Sequence, residues 1–279
     1  MGRSVPIPTL HLFPVLDELL IDLLRSLSPK DWNKPTLAKQ WTVKDIAAHL
    51  LDTNMRAIAA GDGYTPPPPQ NINSYRDLVA YLNDLNAVWV KAMKRIAPTQ
   101  LTELLESTGK QYRAYISTLD PFAPARYGVA WAGEEQSTNW FDIAREYTEK
   151  WHHQQQIRDA VDKTDPLMTK ELFYPCIDTF MCGLPHAYRD VEADNGTLIQ
   201  FTISGEAGGI WYLLRTPDEW LLNKTLPVRT ADASVTIPPD VSWKLFTKGI
   251  NSEAAIEKSI ITGERALAEA IFSMLAVMA

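Results

Sequence analysis

The spacing of hydrophobic and polar positions changes after residue 165. Before that point, apolar residues recur every three or four positions, as they do in amphipathic helices. This spacing predicts helices over residues 16–27, 42–61, 74–96, 99–119 and 139–160. Thr42, followed by Asp45 three residues later, approximates a capping box at the start of the second helix. The proline-rich run 63–73 predicts a stiff loop before the third helix.

After residue 191 the pattern is typical of short strands. The runs "TLIQFTISG" and "IWYLLR", separated by "EAGG", predict a hairpin. Two further strands are predicted over 233–238 and 259–263, and two helices over 240–250 and 264–278. The segment 171–191 reads as a connecting helix that is interrupted near Gly183. We therefore expect a helical domain over residues 1–165, a connection over 166–191 and an α+β domain over 192–279.

Net charge, apolar runs and the number of cysteines disfavour several classes of protein. The 279 residues carry a formal net charge of -7, which disfavours a nucleic-acid partner. No run of 18 apolar residues occurs, and the first 20 residues lack the apolar stretch of a signal peptide. The two cysteines, Cys176 and Cys182, are too few for a disulfide framework. We expect a cytoplasmic protein with no membrane partner, in which both cysteines fill the core rather than act as nucleophiles.

The run "EKWHHQQQIRDA" (149–160) holds the first candidate chemistry. Residues three and four apart are neighbours on a helix, so Glu149 stands beside both His152 and His153. A carboxylate and an imidazole in this relation can chelate a metal ion. The alternative is a solvated face, which Asp142, Glu146 and Gln156 would share with Glu149 and His153.

His49 offers a further imidazole from the second predicted helix. It flanks an apolar stripe, so one interpretation is a core histidine that donates a hydrogen bond to a carbonyl group. The other interpretation groups His49 with Glu149 and His153. Two imidazoles and one carboxylate leave coordination positions open, an arrangement that suits catalytic zinc, iron or nickel.

The segments "WTVKDIAAHL" (41–50) and "REYTEKWHH" (145–153) resemble the DinB-like metalloenzyme superfamily, and within it the mycothiol-dependent maleylpyruvate isomerase group. This resemblance implies a four-helix bundle whose metal ligands are His49, Glu149 and His153, with Trp151 between the last two. The segments "DASVTI" (232–237) and "ITGERALA" (261–268) resemble a sterol-carrier-like domain. The sequence departs from the group at Gln156, where an acidic residue is frequent. His152, beside His153, leaves the choice of ligand histidine open.

The resemblance therefore implies a divalent-metal-dependent transferase or isomerase that uses a low-molecular-weight thiol on a small electrophilic molecule. Zinc is the expected metal, with nickel or iron as alternatives, and the chain is expected to be a monomer or a dimer. Arg265, at a predicted strand-to-helix turn, is a candidate for holding a substrate carboxylate. Two alternatives are a non-catalytic ligand-binding protein with a structural metal, and a metal-dependent hydrolase.

Overall fold

The structure is a computed structural model that describes residues 3–64, 66, 72–225 and 229–277. Most of the predicted proline-rich loop 63–73 therefore lies outside the described residues. The chain forms two compact units, each assembled from separate segments. The helical unit comprises Thr9–Ala123 and Glu149–Pro166. The sheet unit comprises Pro124–Thr148 and Leu167–Val277, together with the N-terminal residues up to Pro8.

Five long helices occupy the first part of the chain, as the apolar spacing predicts. They are α1 (Phe13–Arg25), α2 (Val43–Gly61), α3 (Tyr75–Met93), α4 (Pro98–Ile116) and α5 (Asn139–Ala160). Buried residues of α1, α2, α4 and the end of α5 form one hydrophobic core, and half-buried Trp89 and Met93 of α3 pack against it. Within the described residues, none of the helices is long and apolar enough to cross a membrane.

The start of α2 is fixed by the predicted capping pair. The backbone N–H and the hydroxyl of Thr42 both donate to the Asp45 carboxylate, at 3.0 and 2.8 Å. Lys94 Nζ lies 2.6 Å from the same carboxylate. Burial alone would raise the pKa of Asp45, but the hydrogen bonds from Lys94 and Thr42 outweigh it and hold the pKa below its ordinary value. The carboxylate therefore stays charged and anchors the first turn of the helix.

The sheet unit contains the elements of the second predicted region. Helices α6 (Lys170–Met181) and α7 (Leu184–Ala187) are separated at Gly183, as predicted. In the described part of the chain, five strands form one sheet of order β3-β2-β1-β4-β5. These strands are β1 (Leu198–Ile203), β2 (Gly209–Arg215), β3 (Trp220–Asn223), β4 (Ala233–Ile237) and β5 (Ile260–Gly263). Strands β1 and β4 are parallel, and the other neighbouring pairs are antiparallel.

The predicted hairpin and the mixed α+β class are confirmed. The hairpin joins β1 to β2, and its turn needs Gly208, where a Cβ atom would stand 1.9 Å from the carbonyl oxygen of Ile203. Helices α8 (Pro239–Phe246) and α9 (Ser252–Glu257) lie between β4 and β5. The sequence pattern misses β3, which has only four residues.

The prediction of one terminal helix over 264–278 is wrong. Helix α10 spans only Arg265–Glu269, a 3-10 turn follows over Ala270–Ser273, and the backbone is extended at Met274. The N–H of Ala276 donates to the carbonyl oxygen of Phe246 at 2.9 Å. This contact with the end of α8 replaces the helical hydrogen bond that the local pattern would favour.

Candidate metal centre

Helix α2 holds His49 in a buried position. The ring lies two turns beyond the Thr42–Asp45 cap and is 7% exposed. Small neighbours at Ala47 and Ala48 let other helices approach, and the indole N–H of Trp89 on α3 donates to the carbonyl oxygen of Ala48 at 2.8 Å. The position of His49 is therefore set by both the helix cap and the packing of α3 against α2.

Helix α5 presents Glu149, His152 and His153 within its second half. Both histidines are buried, at 3% and 7% exposure, and Glu149 is half-buried. The interpretation of this face as solvated is therefore wrong for His153 and also for Gln156, which is 3% exposed. The helix is held by its other side, where Arg158 Nη2 donates to the carbonyl oxygen of Leu19 on α1 at 2.9 Å.

The three α5 residues form a compact group of metal-binding atoms. One ligand atom from each of Glu149, His152 and His153 lies within 4.8 Å of the others. His153 Nε2 is 3.6 Å from Glu149 Oε2, and the rings of His152 and His153 have centroids 4.0 Å apart. The ring of His49 lies beside this group, 4.7 Å from the His153 ring between centroids. The ligand atoms that lie close together are thus those of Glu149, His152 and His153, and His49 is a neighbour whose ring contacts that of His153.

Gln156 determines which nitrogen of His153 faces the group. His153 Nδ1 lies 2.9 Å from Gln156 Oε1, and an amide oxygen only accepts, so Nδ1 must carry the proton. In the neutral ring, Nε2 then carries the lone pair, and Nε2 is the nitrogen nearest Glu149. A histidine that donates through one nitrogen and binds a metal through the other is the common arrangement in metalloproteins.

The imidazoles of His49 and His153 are neutral in the metal-free protein. Burial, reinforced by the neighbouring His153, lowers the pKa of His49 well below its ordinary value. Burial and the neighbouring His152 lower the pKa of His153 to about 3, although Glu149 and Gln156 act in the opposite direction. Metal ions bind the neutral form of histidine, so both rings are in the protonation state that coordination requires.

One imidazole nitrogen of the group has no hydrogen-bond partner. Among the described residues, nothing bonds to the buried Nδ1 of His49, which argues against the interpretation of a core histidine donating to a carbonyl through this atom. A buried nitrogen without a partner is energetically costly unless another species satisfies it. Together with a carboxylate and neutral imidazoles, this atom fits a borderline divalent cation such as zinc.

Trp41 forms a wall of the site. Its ring centroid lies 4.9 Å from that of His49 and 6.1 Å from that of His153, within the range of aromatic contacts. The residue precedes the α2 cap, and a turn in which Thr36 N–H donates to the carbonyl oxygen of Trp41 at 3.1 Å holds its backbone. The indole therefore shields part of both imidazoles from water.

The other sequence candidates belong to the sheet unit. Arg265 is exposed and pairs with Glu269 on its own helix, with Nε 2.6 Å from Oε1, so its role with a carboxylate substrate stays a prediction. Cys176 is fully buried, and burial raises the pKa of Cys182 to about 12. A thiol with such a pKa is protonated at neutral pH, which is the state of a core residue rather than a nucleophile.

Sequence reasoning did not assign Trp41 a place at the site, whereas the resemblance singled out Gln156 as a position that tunes the ligand histidine. Both lie in the quoted runs, Trp41 eight residues before His49 and Gln156 three residues after His153. Helical spacing placed Gln156 on the face of Glu149 and His153, and this was the available signal. No comparable signal existed for Trp41, because its contact with the histidines depends on the turn before α2.

Comparisons with known proteins identify a family and a fold for this chain. The family model for the mycothiol maleylpyruvate isomerase N-terminal domain matches residues 14–158, just over half of the chain. A crystal structure of a histidine-to-alanine variant of the mycothiol-dependent maleylpyruvate isomerase is 12% identical, with a TM-score of 0.54 over 95% of this chain and 97% of that chain. A crystal structure of the mycothiol-dependent maleylpyruvate isomerase is 10% identical, with a TM-score of 0.50 over 88% and 91%.

At these identities the likeness to solved structures concerns the fold alone. A comparison with curated protein sequences found no match. The family model, in contrast, spans the whole run from α1 to α5 and includes His49, Glu149, His152 and His153. On that match, the chain belongs to the family defined by the mycothiol maleylpyruvate isomerase N-terminal domain.

Proposed function

We propose that this protein is a divalent-metal-dependent enzyme that uses a low-molecular-weight thiol to act on a small electrophilic molecule. The observation that carries the proposal is the group of ligand atoms from Glu149, His152 and His153, with the buried ring of His49 beside it. The proposed ligands are His49, Glu149 and His153. Zinc is the first metal to test, and nickel and iron are the alternatives.

Each residue has a distinct part in this proposal. Glu149 supplies negative charge that offsets the cation, and Gln156 holds the His153 ring with Nε2 directed at Glu149. Trp41 limits water on one side of the imidazoles. A bound divalent metal lowers the pKa of a coordinated thiol, so that thiolate is available at neutral pH. The thiolate is then the nucleophile towards an activated alkene or epoxide.

The names of the structural relatives suggest the first reagents. Mycothiol is the first thiol to test and maleylpyruvate the first substrate, because both occur in the name of the isomerase with the same fold. We propose transferase or isomerase chemistry as the class of reaction. The protein is expected to act in the cytoplasm on small molecules alone.

The test combines metal analysis with turnover. Purified protein should contain close to one divalent metal per chain, and turnover should depend on added thiol. His153→Ala and Glu149→Gln should both lose metal and activity, because Gln keeps the shape of Glu but removes the anionic ligand. The matched control is the double variant Cys176→Ala, Cys182→Ala, which should keep thiol-dependent activity.

Other outcomes would redirect the proposal. An inactive cysteine double variant with a fully active Glu149→Gln variant would mean that the nucleophile belongs to the protein. Metal-dependent hydrolysis without thiol would favour the hydrolase. Bound metal with no exchangeable position would favour the ligand-binding protein with a structural metal.

A further inference from the structure

His152 lies in the group of metal-binding atoms, although the proposed function gives it no part. One of its ring nitrogens is within 4.8 Å of ligand atoms of both Glu149 and His153. Two atoms bound to one zinc ion by bonds of about 2.1 Å stand roughly 3.4 Å apart in a tetrahedral site. Closing a gap of at most about 1.4 Å between the atoms therefore places all three on one ion.

The orientation of His152 is unusual for its place in the helix. Consecutive residues on an α-helix project about 100° apart, so two neighbouring histidines ordinarily face different directions. Here the rings of His152 and His153 have centroids 4.0 Å apart with an angle of 37° between their planes. His152 is also 3% exposed, so its ring is turned into the protein rather than towards water. Both rings are thus directed to the same side, where Glu149 lies.

The number of protein donors decides whether an external thiol can bind the metal. With His49, Glu149 and His153 as the proposed ligands, His152 would be a fourth donor and would fill the tetrahedral shell that zinc prefers. A site with four protein ligands is closed to an external thiol unless one of them leaves. We take His152 as the donor that exchanges with the thiol, because His49, Glu149 and His153 are the ligands of the proposed function.

From this geometry we infer that His152 is a fourth protein donor to the metal and competes with the thiol for the same coordination position. The inference rests on the proposed function and deepens it, because it makes occupation by the thiol a ligand exchange at a site that the protein otherwise closes.

Cobalt(II) is a suitable probe, because its visible absorption is intense in four-coordinate sites and weak in six-coordinate sites. Cobalt-loaded wild type and His152→Ala are compared with His186→Ala, whose histidine belongs to the sheet unit. We expect His152→Ala to bind cobalt at least about tenfold more weakly, with a weaker visible band. We also expect it to bind 2-mercaptoethanol more tightly than wild type, as read from the sulfur-to-cobalt absorption. His186→Ala should match wild type in all three measurements.

Three results would overturn the inference. The first is an unchanged visible spectrum and cobalt affinity in a folded His152→Ala protein. The second is equal affinity of both proteins for 2-mercaptoethanol. The third is a wild-type protein that never takes up the thiol while His152→Ala does, which would make His152 a permanent structural ligand. Circular dichroism separates these results from unfolding of the variant, and His152→Gln provides a second, more conservative replacement.

Failure of the inference and failure of the proposed function are distinguishable. If wild type binds no divalent metal, the proposed function is wrong and His152 has no metal to share. If wild type binds cobalt and turns over with thiol while His152→Ala behaves identically, only the inference about His152 is wrong.

Discussion

At the scale of single residues, Gln156 controls the state of His153. Its Oε1 fixes the proton on Nδ1 and leaves Nε2 for coordination. Replacing Gln156 with Leu removes the acceptor, so we expect metal affinity to fall by about 10–100-fold, the usual effect of losing a partner behind a metal ligand. Gln156→Glu keeps an acceptor at the same position and should restore the affinity. A competition titration against a chromogenic chelator measures the metal affinity of both variants.

Gln155→Leu is the matched control for this prediction. Gln155 is also a buried glutamine of α5, but its Nε2 donates to the carbonyl oxygen of Thr164 at 3.2 Å rather than to a histidine. The Gln155→Leu substitution should leave metal affinity unchanged, whatever its effect on the stability of the fold. Equal losses of affinity in Gln155→Leu and Gln156→Leu would mean that the effect is general loosening of the helix. Failure of Gln156→Glu to recover metal binding would also mean that the effect is general loosening of the helix.

The sequence located the histidines of the site but not their relations to each other. Helical spacing alone placed His153 beside Glu149, because that relation is local. The grouping of His49 with His153 was one of two interpretations of the residues, and only the resemblance favoured it, since helical spacing cannot place residues 104 positions apart. The inward turn of the His152 ring had no sequence signal at all. It depends on packing that only the folded helices provide.

At the scale of elements, a buried polar contact ties α5 to two other helices. Lys150 Nζ donates to Asn54 Oδ1 on α2 and lies 4.4 Å from the ring centroid of Tyr112 on α4. Asn54 Nδ2 in turn donates to Thr108 Oγ1 on α4 at 3.1 Å. Because Lys150 adjoins Glu149, this contact fixes the helix that carries most of the candidate ligands.

We expect Asn54→Ala to lower the free energy of unfolding by about 1.5–3 kcal/mol, since it leaves a buried ammonium group without this acceptor. Urea denaturation of the metal-free protein measures the change. The double variant Asn54→Leu, Lys150→Met should cost less than the sum of its single variants, because it removes both polar partners together. Purely additive losses, or an Asn54→Ala variant as stable as wild type, would contradict the described role of the contact.

Elements were predictable where their signal is local. The five long helices and the β1–β2 hairpin follow from apolar spacing and from the glycines between the strands. Strand β3 is too short to show a period, and its place depends on pairing with β2. The last predicted helix ends early because Ala276 bonds to Phe246, 30 positions away in the sequence. Contacts of that range leave no trace in local periodicity.

At the scale of the whole molecule, the metal should not be required for folding. The core of the helical unit contains fully buried Val43, Ile46 and Leu101, so apolar burial supports the fold without an ion. Adding a chelator to metal-loaded protein should lower the free energy of unfolding only by the lost binding energy of the metal. This loss is about 3–4 kcal/mol at metal concentrations 100 to 1,000 times Kd, and the melting temperature should fall accordingly. Thermal unfolding followed by circular dichroism measures the shift.

Wild type and His153→Ala provide the comparison for chelation. The variant lacks a proposed ligand, so its melting temperature should not respond to chelator. Loss of helical signal in wild type at room temperature after chelation would contradict this expectation and would support a structural metal, as in zinc fingers.

The proposed donors are synthesised at different times, because they are far apart along the chain. His49 precedes Glu149 by 100 positions, and protein synthesis proceeds from the N-terminus. The α2 imidazole therefore leaves the ribosome before the proposed donors of α5 exist, and a lone imidazole binds metal ions weakly. On the proposed ligand set, a complete metal site forms only once α5 has been made and has joined the other helices.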